Sequence, residues 1–164
     1  MNKIAVYAGS FDPFTKGHLS IVKEASELFD HVYVVIARNA GKRRSVSPDE
    51  MQEAIAKTLK DERLLNCTAT VLPEMLVADY CKACGAQYLV RGLRNTSDYM
   101  YEENIAKINR EINSELKTIY FRADNEVISS SMVRELMSYG KDVNKYIPKA
   151  VATLLEGDEN DYDC

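Results

Sequence analysis

Residues 9–18 read GSFDPFTKGH, and their types suit the handling of a phosphate. Gly9 lets the chain leave a strand closely, Ser10 brings a hydroxyl and a backbone N–H, and Asp12-Pro13 sets a turn. Gly17 and His18 then open a helix, whose unpaired N–H groups and dipole attract anions. An imidazole at that place can donate to a phosphate oxygen. Taken alone, the stretch reads equally well as a βα turn with a surface histidine. The common fingerprints are missing: AGKRRS lacks the first glycine of a P-loop and carries Arg43 where its hydroxyl belongs. No G-x-G-x-x-G follows a candidate strand, so P-loop kinase and dinucleotide dehydrogenase chemistries both lose weight.

Three further groups of residues could join such a site. Arg91 and Arg94 flank Gly92, which would bring two forked guanidiniums to an unobstructed backbone N–H. Either arginine alone would read as a solvated surface charge. Ser129, Ser130 and Ser131 start a late helix, and one cap does not require three hydroxyls. Lys42, Arg43 and Arg44 form a basic loop that reads first as a solvated cluster, although its place after a strand makes one of them a candidate phosphate ligand. His31 stands where a strand begins, on the wrong rim of a sheet for ligand work, and is read as structural.

The elements that must position these groups alternate. Apolar runs at 3–9, 31–37, 67–72, 87–91 and 117–122 read as buried strands. Between them lie amphipathic helices. Leu19, Val22, Ala25, Leu28 and Phe29 keep helical spacing, and Ser47, Pro48 and Glu50 form a helix start. Residues 74–84 read as a helix stopped by Gly85, 98–113 as a longer one, and SSMVRELMSYG as one stopped by Gly140. A last helix is expected from Pro148. The expected fold is α/β, a single doubly wound five-stranded parallel sheet with helices on both faces. Its ligands belong outside the carboxyl ends of the strands, where all the groups named above except His31 fall.

Composition bounds the rest. With 164 residues, 46% of them apolar, one core and one domain over 1–157 are expected, followed by an acidic tail at 158–164. A net charge of −4 argues against a general nucleic-acid surface, so any anion site is local. No apolar run is long enough to span a membrane, and MNKIAVYAG is too soon interrupted for a signal peptide, so a cytoplasmic protein with reduced cysteines is expected. Cys81 and Cys84 form a C-x-x-C, but no second ligand pair exists for zinc, and their place in a helix's last turn reads as ordinary packing.

Together, G-S-F-D-P-x-T-x-G-H after the first strand, Lys42, RGLR after the fourth strand and ISSS before a late helix resemble phosphopantetheine adenylyltransferase of the nucleotidyltransferase α/β-phosphodiesterase superfamily. The resemblance runs from Met1 to about Leu155. It implies reversible transfer of the adenylyl group of ATP to 4'-phosphopantetheine, giving 3'-dephospho-CoA and pyrophosphate, with Mg2+, in a cytoplasmic homohexamer of coenzyme A biosynthesis. By the same resemblance Ser10, Phe11, His18, Gly92, Leu93, Arg94, Glu102, Asn125, Glu126, Val127, Ile128, Ser129, Ser130 and Ser131 would contact ATP. Ser10, Lys42, Val77 and Arg91 would contact phosphopantetheine, and His18, Lys42, Ser10 and Arg91 would be the catalytic set. Ser10 stands where other members have Thr, and NEVISSS lacks an aromatic residue that some members have there.

The residue types suit that reaction. Its nucleophile is already an anionic phosphate, so catalysis needs positioning and charge neutralisation rather than a general base. Competing readings are a nucleotidyltransferase acting on nicotinamide mononucleotide or with CTP, and a non-catalytic ATP-sensing module, which would not need both His18 and Lys42.

Overall fold

A computed structural model describes residues 1–38, 41, 43–123 and 129–159. Lys42 and Asn125–Ile128, all expected at the site, lie outside the described residues. The strands are β1 (Ile4–Gly9), β2 (His31–Ile36), β3 (Cys67–Val71), β4 (Tyr88–Leu93) and β5 (Lys117–Arg122). The helices are α1 (Lys16–Leu28), α2 (Pro48–Asp61), α3 (Val77–Ala83), α4 (Thr96–Ile112), α5 (Ser130–Ser138) and α6 (Lys149–Glu159), with a 3-10 turn at Asn144–Tyr146.

All strand pairings are parallel, in the order β3-β2-β1-β4-β5. The chain therefore winds outward from β1 in one direction, then returns to its other side at β4. The crevice between the carboxyl ends of β1 and β4 is the switch point at which such sheets bind ligands.

The central strands β1 and β2 bury both faces, which is why they read as continuous apolar runs rather than alternating ones. Along β1 successive residues serve opposite cores: Ala5 and Tyr7 pack with Leu19, Val22, Ile55, Val133 and Val151, whereas Val6 and Ala8 pack with Ala78, Cys81, Leu89 and Leu116. Helices α1, α2, α5 and α6 contribute to the first layer, and α3 to the second. Among the described residues no helix is long and apolar enough to cross a membrane.

Local signals act as expected at several ends. The Ser47 side chain caps α2 by accepting from the Glu50 N–H, with Pro48 in the first turn. Gly85 and Gly140 follow α3 and α5 at φ 75° and 68°, a left-handed turn that a Cβ disfavours. Other boundaries moved. The fourth strand does not end at Arg91 but runs through Leu93, because β5 pairs it residue for residue up to Leu93–Arg122. Helix α3 starts at Val77, three residues late, with no side-chain cap at Leu76. Helix α6 continues through Glu159, so the helix takes in the first two residues of the expected tail.

The N-terminal rim of the sheet is fastened by side chains that reach across connections. Lys3 N–H donates to Asp30 Oδ2 at 2.6 Å, and Ile4 N–H to Gln87 Oε1 at 3.0 Å. Asn66 Nδ2 donates to the carbonyls of Ser26 and Phe29 at 2.9 and 3.1 Å. His31, opening β2, has Nε2 3.1 Å from Thr68 Oγ1, a local structural contact far from the switch point.

Candidate active site

The β1–α1 turn is built by packing first. Phe11 is 2% exposed, and its ring meets Tyr7, Phe14 and His18 edge-on or tilted at centroid distances of 5.3, 5.3 and 4.9 Å. A Cβ on Gly9 would come within 2.9 Å of that ring, so glycine is needed for the fit. Phe11 holds φ at 44°, a left-handed conformation that costs a bulky residue about 1–3 kcal/mol and persists only when its surroundings over-determine it.

Hydrogen bonds supply that restraint. Asp12, 7% exposed, accepts from the N–H groups of Ser45 at 3.0 Å and Val46 at 3.3 Å. Arg44 Nη1 donates to the Ser10 carbonyl at 2.6 Å, and Arg134 Nη1 to the Asp12 carbonyl at 2.6 Å. Ser130 Oγ donates to the Pro13 carbonyl at 2.8 Å. The turn is thus held from the β2–α2 connection on one side and from α5 on the other.

Helix α1 starts with a reciprocal cap. Thr15 Oγ1 accepts from the His18 N–H at 3.3 Å, while Thr15 N–H donates to His18 Nδ1 at 3.0 Å. That second bond decides the tautomer. A nitrogen that accepts from an amide carries no proton, so the neutral ring bears its proton on Nε2. The pKa is pushed down to about 3, first by loss of solvation among the aromatic rings and then by the like charges of Arg94 and Arg91. His18 is therefore a neutral, oriented donor rather than an acid.

Ser10, Phe11, Gly17, His18, Arg91, Gly92, Arg94, Glu102, Ser129, Ser130, Ser131 and Arg134 line one cavity of about 320 Å³, with Tyr7 and Ile21 in its wall. Expected residues from three connections, β1–α1, β4–α4 and β5–α5, thus converge at the switch point. Leu93 and Val77 are not in this wall; Val77 is the first residue of α3 and packs against the other core.

Several of these side chains have internal partners. Arg91 rises from the strand itself, donating from Nη1 to the Ala8 carbonyl and from Nε and Nη2 to the two oxygens of Glu102, each at 2.7 Å. Burial works against its charge, but the Glu102 hydrogen bonds and charge more than offset that and raise its pKa. Both Glu102 oxygens are thereby engaged. Arg94 Nε donates to Asp98 Oδ2 at 3.1 Å on the more exposed side. The three serines divide their work: Ser129 Oγ caps α5 by accepting from Met132 N–H, Ser130 straps Pro13, and Ser131 Oγ accepts from Arg134 Nη2 at 3.2 Å. A Cβ on Gly92 would run into Ile21 Cδ1 of α1, so that side chain would have to shift to admit one.

Arg134, Thr15 and the acceptor role of Asp12 escape a reading of the sequence, because their partners are backbone atoms or a histidine ring set by the fold. The T-x-x-H spacing at 15–18 carried a signal for Thr15, as the spacing of a cap and its third helical residue. No cluster of three or more His, Cys, Asp or Glu that could hold a metal occurs among the described residues. With Asp12, Asp98 and Glu102 committed to donors, the donor set suits a magnesium ion that arrives on phosphate oxygens and water, as this ion ordinarily does in nucleotide sites.

Comparison with known proteins agrees with this geometry. The Cytidylyltransferase-like family model matches residues 6–136. The phosphopantetheine adenylyltransferase of Latilactobacillus sakei is 40% identical over 156 residues, covering 94% of this chain and 93% of the relative. That of Lacticaseibacillus paracasei is 38% identical over 155 residues, covering 93% and 92%. That of Streptococcus pneumoniae is 38% identical over 162 residues, covering 98% and 99%. A crystal structure described as a putative nicotinate-nucleotide adenylyltransferase from Vibrio parahaemolyticus superposes with a TM-score of 0.72 at 20% identity, covering 96% of this chain and 93% of that one, a likeness of fold. With a five-stranded nucleotidyltransferase fold, its cavity at the switch point and full-length relatives at this identity, the chain belongs to the phosphopantetheine adenylyltransferase family and is a nucleotidyltransferase.

Proposed function

We propose that this cavity transfers the adenylyl group of magnesium-bound ATP to 4'-phosphopantetheine, giving 3'-dephospho-CoA and pyrophosphate, in the cytoplasm. The observation that carries the reading is His18, neutral and with its proton on Nε2, in one cavity wall with Ser10, Arg91, Arg94 and the start of α5. A phosphate oxygen of phosphopantetheine attacks the α-phosphorus, the bond to the β-phosphate oxygen breaks, and pyrophosphate leaves. No proton need be removed from the nucleophile.

Charge builds on the α-phosphoryl oxygens, and the protein's task is to meet it with fixed donors. His18 Nε2–H donates there without reorganising, since Thr15 already holds the ring. Arg91 keeps N–H groups beyond those given to Ala8 and Glu102, and directs them at the incoming phosphate. Arg94 and the first turn of α5 hold the β- and γ-phosphates, with Asn125–Ile128 completing the nucleotide contacts and Lys42 neutralising the transferred group. Val77 would reach only the pantetheine end.

The same reading includes the homohexamer. Helix α4 buries only Glu102 among its 17 residues and leaves Met100, Tyr101 and Ile108 about two-thirds exposed, apolar surface that monomers seldom leave contiguous. Light scattering should give six times 18.5 kDa. For the reaction, purified protein with Mg2+, ATP and 4'-phosphopantetheine should form pyrophosphate and dephospho-CoA in equal amounts. Nicotinamide mononucleotide with ATP, and 4'-phosphopantetheine with CTP, should not react; turnover only with one of these pairs would overturn the assignment.

A further inference from the structure

Arg44 is not part of the cavity wall, yet it grips the peptide from which two wall groups arise. We propose that Arg44 is a positioning residue for adenylyl transfer: it sets the Ser10–Phe11 peptide with the Phe11 N–H toward the cavity and straps the 43–47 segment to that turn. The guanidinium donates from Nη1 to Ser10 O at 2.6 Å, from Nε to Val46 O at 2.9 Å and, more weakly, from Nη2 to Phe11 O at 3.5 Å. In a trans peptide the carbonyl and the following N–H point in opposite directions. A grip on the Ser10 carbonyl from the Arg44 side therefore commits the Phe11 N–H to the other side.

Phe11 shows why a grip is needed. Its φ of 44° is one that a phenylalanine leaves when nothing holds it, and rotation of the preceding peptide is the direct way out. The strap also runs in the reverse direction, since the Asp12 carboxylate accepts from the N–H groups of Ser45 and Val46. The two connections, 34 residues apart in sequence, are thereby cross-tied by Arg44 and Asp12. Arg44 stands outside the cavity wall, and each of its three nitrogens donates to a carbonyl of the two connections it ties.

The kinetic half of the proposal rests on the adenylyl-transfer reading, whereas the strap itself does not. Arg44→Ala and Arg44→Lys are to be compared with the native full-length chain by steady-state kinetics and by amide hydrogen exchange. Misplacing one oriented donor predicts a kcat lowered about 10- to 100-fold in Arg44→Ala, with KM for both substrates within about threefold. Exchange at the Ser45 and Val46 amides should rise about tenfold or more, because their acceptor is no longer held. Lysine, a single ammonium in place of a fork, should restore part of kcat.

A raised KM for phosphopantetheine with unchanged kcat would make Arg44 a substrate ligand and overturn the proposal. Unchanged kcat, or unchanged exchange at Ser45 and Val46, would overturn it as well. Should Arg44→Ala fail to fold, as judged by its urea midpoint, the same criteria apply to Arg44→Lys. A native protein that forms no dephospho-CoA would refute the reaction instead, and amide exchange would still decide the strap.

Discussion

The imidazole of His18 is expected to stay neutral through the mildly acidic range. With its pKa pushed down to about 3, the ring at pH 5.5 is under about 1% protonated, whereas an ordinary imidazole is about nine-tenths protonated there. The folded protein thus binds this proton less readily than the unfolded chain. As pH falls below about 6.5 the unfolded state gains the proton first, and stability declines by up to about 1.4 kcal/mol per pH unit until about pH 3. The contribution is fully present above that window and lost through it. Imidazole nitrogen NMR between pH 4 and 8 on the free protein should show one histidine fixed with its proton on Nε2 and no titration. Urea unfolding over the same range should show a steeper pH dependence for the native chain than for His18→Ala, in which this linkage is gone. A midpoint above about 5 for His18, or a proton on Nδ1, would refute the derivation from the Thr15 cap and the aromatic surroundings.

Other substitutions probe the supports of the site. Glu102→Ala leaves the Arg91 guanidinium with the Ala8 carbonyl alone and should cost about 3 kcal/mol in urea unfolding, with Glu102→Gln recovering part; an unchanged midpoint would show that the pair holds nothing. Gly92→Ala should lower stability by about 1–3 kcal/mol through its clash with Ile21, and Ile21→Val in the same chain should relieve it by removing the atom struck. Thermal unfolding of the two single and one double variant decides this. Burial disfavours the thiolates of Cys81, pushed up to about 12, and Cys67, to about 11, so neither thiol is activated at neutral pH. Combined Cys81→Ala and Cys84→Ala should keep turnover within about twofold; its loss would restore a chemical role to the C-x-x-C.

What the sequence made legible follows from how local each signal was. Strands buried on both faces announce themselves as apolar runs, and Ser47, Gly85 and Gly140 punctuate helices through their own backbone chemistry. The end of β4 did not, because Gly92 looks like a loop residue until β5 pairs alongside it. Its absent side chain answers to Ile21, 71 positions earlier, and only the packed α1 reveals that. Ser10, His18, Arg91, Arg94 and the serines could be placed together because each sits at a strand's carboxyl end or a helix start. Their division of labour could not: only the fold shows that both oxygens of Glu102, expected on ATP, accept from Arg91. Arg44 and Arg134 are illegible as supports for the same reason, since a carbonyl acceptor far along the chain has no sequence signature.

The two rims of the sheet are fastened independently. Asp30, Asn66 and Gln87 secure the N-terminal rim, none of them in the cavity wall, while the guanidinium clamps lie at the opposite end of the strands. The N-terminal rim is therefore the natural side for a surface tether, a cross-link or an inserted peptide. Changes there can alter how firmly the molecule holds together while leaving the reacting groups at the far rim in place, so durability and turnover can be adjusted separately within one small chain.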